Sequence, residues 1–167
     1  HRFSKVPAPS IVLVEGFGVE GDAHGGSTVQ HRSRVARDSS QPNLRQVHLM
    51  PAEFLDAARA HGFDVGAGDL GENILTRGID LVSLGRDTLL RVGPDAVVRV
   101  TGLRNPCVQI EAFRTGLLAL AVRRDASGHV VRAAGVMSVV VSGGVVSGTD
   151  AVVAVPPSAG HVPLEVV

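Results

Sequence analysis

Tryptophan and tyrosine are absent from this 167-residue chain, and its aromatics, 3% of the total, are five phenylalanines. Single-stranded nucleic acid is usually held by stacking bases on aromatic rings, so that mode of binding has few platforms here. The formal charge is zero, with 16 basic and 16 acidic residues. A general binder of phosphate backbones needs a basic excess, so nucleic acid is not expected as a partner. Lys5 is the only lysine among those 16 basic residues.

Cysteine is nearly missing too. Cys107 stands alone, which excludes an intramolecular disulfide framework and any zinc site built from several thiolates. A reducing compartment follows as the expectation, and the cytoplasm with it. No apolar run reaches the roughly 18 residues of a membrane span, because Gly, Arg and Asp interrupt every valine stretch. No membrane association is expected, and no secretory signal is visible in the sequence from His1 onward.

What the chain does hold is valine, 29 copies of it. Short β-branched runs bounded by Gly, Pro or Asp occur over Ser10 to Glu15, Arg45 to Leu49, Asp87 to Val92, Ala96 to Thr101, His129 to Arg132, Gly135 to Val141 and Ala151 to Val155. Each reads as a strand. Gly93-Pro94-Asp95, between two of them, reads as a hairpin turn. Helix is scarce. Pro51 to His61 has Pro first, Glu53 in the opening turn and His61-Gly62 at the end, the expected order of start and stop signals. A second helix is expected over Glu111 to Val122, broken at Gly116. The fold class is therefore α+β and mainly β, one domain over residues 1–167. Residues 156–167 read as an extended tail, and the glycine-rich stretch Gly16 to Asn43 as a long loop.

Candidate chemistry is spread over several segments. Cys107 follows a strand in Arg104-Asn105-Pro106-Cys107, where Arg104 would favour the thiolate, as would a helix starting near Val108. On its own the segment leaves a reactive thiol and a small buried hydrophobe both open. Gly18-Val19-Glu20-Gly21-Asp22-Ala23-His24 sets carboxylates and an imidazole among glycines, whose backbone amides can approach an anion closely. Gln46 and His48 alternate onto one face of their strand, a face that reads equally well as wetted. Gly68-Asp69-Leu70-Gly71-Glu72-Asn73 is a functional loop or a turn capped by its own side chains. His24, His48, Asp22 and Glu72 lack paired-ligand spacing, so a metal cage of protein side chains is a weak idea.

Together with Phe3-Ser4-Lys5 and Gly135-Val136-Met137, these blocks resemble the MOSC domain, the module named for the C-terminal part of molybdenum cofactor sulfurase and also found as free-standing bacterial proteins. The resemblance runs from residue 3 to about residue 155. It implies a β-barrel-like fold, with a strand expected ahead of Phe3-Ser4-Lys5 that these residues do not supply. It further implies molybdenum cofactor (molybdopterin), oxidoreduction with N-hydroxylated compounds as substrates, and Cys107 as metal ligand. His24 and Arg104 join Cys107 as candidate catalytic groups. Lys5, Asp22, His48, Glu72, Asn73 and Asn105 are carried over as candidate cofactor contacts. One imidazole, His24, is expected within hydrogen-bond reach of the sulfur. Pyridoxal phosphate belongs to the larger members only. Without their extra domains, a redox or sulfur-donor protein partner is implied beside the small-molecule substrate. A sulfur carrier working through a Cys107 persulfide, and a non-catalytic binding module, stand as alternatives.

Overall fold

The computed structural model describes residues 4–30, 35–36 and 38–167. Phe3 of the first block, and part of the stretch read as a long loop, lie outside the described residues. The strands are β1 (Ser10–Val14), β2 (Gly18–Val19) and β3 (Val47–Pro51). Helix α1 (Ala52–Ala60) follows, then β4 (Ile74–Thr76), a 3-10 turn at Leu81–Ser83, β5 (Leu89–Val92) and β6 (Ala96–Leu103). Helices α2 (Val108–Phe113) and α3 (Leu117–Ala121) lead to β7 (Val122–Arg124), β8 (Val130–Arg132), β9 (Val136–Ser142), β10 (Gly144–Ser147) and β11 (Val152–Val155).

Six strands form one curled sheet in the order β11-β5-β6-β9-β3-β4, antiparallel except where β3 runs parallel to β4. Parallel neighbours need a crossover, and α1 supplies it. A three-stranded sheet, β10-β1-β2, closes against the first, and β7-β8 is a separate hairpin. This is the mainly β, barrel-like architecture expected. The β5–β6 hairpin turns where Gly93-Pro94-Asp95 indicated, with Val92 opposite Ala96.

Two apolar clusters fill the interior. Leu13, Val19, Val47, Leu49, Leu90, Val92, Val98, Val136 and Val146 pack between the two sheets. Met50, Phe54, Leu55, Leu70, Ile110 and Leu117 pack beneath the helices. Strand β3 belongs to both: Val47 and Leu49 face one cluster and Met50 the other, as the two-residue period of a strand requires. A strand covered on both sides has no wetted face, and Gln46 and His48 are each only 4% exposed. The wetted reading of that strand is thereby corrected.

Other departures are local. Pro51 is the last residue of β3 and the N-cap of α1, not its first helical residue. Gly116, at φ 89°, separates α2 from α3, and Val122 already belongs to β7. The tail returns to the sheet: Leu103 N–H donates to Glu165 O at 2.7 Å and Val167 N–H to Leu103 O at 3.3 Å. Among the described residues no helix is long and apolar enough to cross a membrane.

Candidate functional site

Asp22 is the hub of the polar blocks singled out in the sequence. Its carboxylate accepts from Lys5 Nζ, from the backbone N–H of His24 at 3.0 Å and from Asn73 Nδ2, and His24 Nδ1 lies 3.3 Å away. Burial pushes this carboxyl up, but the hydrogen bonds from His24 and Lys5 and the lysine charge outweigh it and hold Asp22 well below the usual carboxylate range. Asn73 in turn accepts from His48 N–H at 2.9 Å through its side-chain oxygen, and its own N–H donates to His48 O at 2.9 Å. One amide side chain thus ties β3 to the Asp22 loop.

The first block is fastened to the fourth. Lys5 N–H donates to Gly68 O at 2.8 Å, and Gly68 N–H donates to Glu72 Oε1. Gly68 sits at φ 84°, and a Cβ there would meet Lys5 O at 2.3 Å, so only glycine allows the two segments to cross. Four of the segments singled out in the sequence therefore converge on one polar network.

His48 Nε2 lies 2.7 Å from Ala134 O. A carbonyl only accepts, so Nε2 carries the proton in this contact. Burial, then the positive charge of Arg104, holds the imidazole well below its ordinary pKa, so His48 is neutral at physiological pH. Arg104 is 7% exposed; its Nη2 donates to Leu70 O at 2.8 Å and its N–H to Gly135 O at 3.1 Å. Burial lowers its guanidinium to about 10, opposed by the Cys107 and Glu72 charges, which leaves it cationic at pH 7.

Cys107 is the N-cap residue of α2 and is half-buried, with its Sγ 3.3 Å from Gln109 Oε1. Arg104 is its charged neighbour, and Asn105 is exposed between them. His24 is not the sulfur's hydrogen-bond partner: its ring is turned to Asp22, and the sulfur to Gln109. Lys5 is likewise not a solvated amine, since Asp22 holds it.

A cavity of about 640 Å³ opens beside the network, between the three-stranded sheet and the β4 edge. Lys5, Asp22, His24, Glu72 and Asn73 line it; Cys107, Arg104, Asn105 and His48 do not. The structure thus sorts the candidates into a cavity group and a cysteine group, with Arg104 electrostatically coupled to both through Glu72 and Cys107.

Asn43 and Gln46 have positioning roles that the sequence reading did not assign. Asn43 Nδ2 donates to His24 O at 2.9 Å and Gly26 O at 3.0 Å, while its Oδ1 accepts from Arg45 N–H at 3.0 Å, which fixes the His24 loop on the start of the β3 segment. Gln46 spans Gly16 O, at 2.8 Å, and Val140 N–H, at 2.9 Å, and so joins the two sheets. The period-2 alternation singled out Gln46 but said nothing of its partners.

A family model described as the MOSC domain matches residues 21–153. The chain belongs to the MOSC domain family. Among solved structures, the YuaD protein from Bacillus subtilis superposes with a TM-score of 0.72 at 22% identity, over 90% of this chain and 87% of that one. YiiM from Escherichia coli gives 0.60 at 20% identity, over 92% and 65%, and YiiM from Geobacillus stearothermophilus 0.57 at 21%, over 73% and 60%. These likenesses concern the fold. This MOSC chain spans less than two thirds of the length of the YiiM proteins it superposes on. A comparison with curated proteins finds no match.

Proposed function

We propose that this MOSC protein binds molybdenum cofactor and acts in oxidoreduction, reducing N-hydroxylated compounds, with Cys107 as the protein ligand to the metal. The observation that carries the reading is a half-buried thiol between β6 and α2, beside a cationic Arg104. The donor set suits such a cofactor. Among the described residues no three His, Cys, Asp or Glu side chains gather to hold a metal ion. A metal at Cys107 must therefore bring ligands of its own, as a pterin dithiolene does.

Lys5 is committed to Asp22, so it is Arg104, with Arg45 close enough for their like charges to interact, that offers positive charge to the pterin phosphate. When bound, the cofactor supplies two-electron redox chemistry at the metal. The chain's own residues anchor it through Cys107, balance anionic charge through Arg104 and keep a neutral imidazole at His48. Asp22, His24, Glu72 and Asn73 shape the neighbouring cavity. Electrons would come from a separate protein.

The test is metal content. Protein purified from a host that makes the cofactor should carry molybdenum by mass spectrometry in near-stoichiometric amount, and Cys107→Ser, folded by circular dichroism, should lose at least 90% of it, about a tenfold drop. No molybdenum in either protein would sink the reading. A second reading, sulfur carriage, is favoured by the same thiol's having a side-chain amide, not a metal-ligand cluster, as its neighbour. One added sulfur on Cys107 after incubation with a cysteine desulfurase, in protein that binds no molybdenum, would support that alternative.

A further inference from the structure

We propose that the cavity between the three-stranded sheet and the β4 edge is a binding site for an organic ammonium ion, its head group paired with Glu72 Oε2 and its hydrocarbon body against the valine and isoleucine walls. The cavity holds about 640 Å³, far more than a water-filled crevice requires, and does not include Cys107. Among the described residues its charged lining is Glu20, Asp22, Glu72 and Asp150 against Lys5. That lysine is spent on Asp22. An anion would meet an excess of carboxylates, whereas a cation would meet opposite charge.

Glu72 carries the argument. It is only 4% exposed and lines the cavity. Gly68 N–H occupies Oε1, while Oε2 is buried with no hydrogen-bond partner among the described residues. A buried carboxylate oxygen without a donor is unfavourable, so a ligand that brings an N–H donor with positive charge relieves a defect already built into the fold. Arg104 acts on this carboxylate through space, but its Nη2 is directed to Leu70 O. The apolar part of the wall comes from Ile11, Val19, Ile74, Val92, Val146 and Val152. A hydrated metal ion would leave these side chains unmatched; a hydrocarbon body covers them.

Titration calorimetry with benzylammonium, benzyl alcohol and benzoate tests this. Benzylammonium should bind saturably, benzyl alcohol at least about tenfold more weakly, and benzoate not at all. Glu72→Gln, whose fold is checked by circular dichroism, should lower benzylammonium affinity about tenfold or more. Ala8→Phe, at an exposed position on the cavity lining, should lower it without touching the core. Cys107→Ser should leave it unchanged, so the site can stand or fall apart from the molybdenum reading. Equal affinity for the alcohol and the ammonium, binding of benzoate, no saturable binding of benzylammonium, or loss of binding in Cys107→Ser would each overturn it.

Discussion

Gly135→Ala should cost more than about 4 kcal/mol, a large share of the roughly 5–15 kcal/mol that holds a domain of this size together. Two effects add. Gly135 has φ 87°, where a side chain is strained by roughly 1–2 kcal/mol. More seriously, a Cβ there would lie 2.0 Å from Leu49 O and 2.8 Å from Met50 Cα, both on β3. Backbone atoms of a strand buried on both faces cannot move aside, so β9 would have to separate from β3 just where Val136 pairs with Leu49. The damage reaches the site, because Gly135 O receives Arg104 N–H and the preceding Ala134 O receives His48 Nε2. Urea unfolding followed by circular dichroism measures it, as a collapsed midpoint or as protein that never folds. A midpoint near that of the unsubstituted protein would mean that β9 does not approach β3 this closely.

Asp22→Asn is the second large effect, on the order of 2–4 kcal/mol at pH 7. An amide in place of the carboxylate turns an N–H group, or an oxygen without charge, toward Lys5 Nζ and Asn73 Nδ2, and leaves the lysine without its counter-charge. The pH dependence gives a signature that simple misfolding would not. The folded-state pKa of Asp22 lies below its ordinary value of 3.8. Its contribution is therefore fully present above the unfolded-state value, about 3.9, and is lost as pH falls through that value toward the folded one. The stability curves of the two proteins should run parallel from pH 7 to about 5 and converge on further acidification. A gap that stays constant down to pH 2 would show that the aspartate charge is not what Lys5 and Asn73 require.

The residues that announced themselves did so through local chemistry. The β5–β6 hairpin was legible because β-branched runs flank Gly93-Pro94-Asp95, and α1 because its start and stop signals come in order. The strands β2, β4 and β10 were not, for physical reasons. β2 is two residues long and β4 three, too short for any alternation to register. β10 begins at Gly144 beside Gly143, a pair that reads as a turn, whereas the chain uses them for a close passage in which a Cβ on Gly143 would meet Leu13 O at 2.7 Å.

The polar blocks of the network were visible as blocks, but their wiring depends on contacts far apart in the chain. Asn73 and Asp22 are 51 positions apart, and His48 and Ala134 86. Nor can one strand's pattern say what covers its second face. The face of Gln46 and His48 stayed open between functional and wetted because Met50, on the same side, gave no hint that α1 and α2 would pack over it.

The double membership of β3 bears on how the protein comes apart. A fold with two apolar clusters can in principle open one and keep the other, yet here the same five residues close both. Withdrawing β3 exposes Val47 and Leu49 on one side and Met50 on the other, so neither cluster can open through β3 without disturbing the other. The two clusters behave as one cooperative unit, and the amides of β3 should exchange with deuterated solvent only through global unfolding. The edge strand β11 and the β7-β8 hairpin, each paired on a single side, are free to exchange through smaller fluctuations. The cysteine group and the cavity, joined to β3 through Arg104, Gly135 and Asn73, therefore share one lifetime.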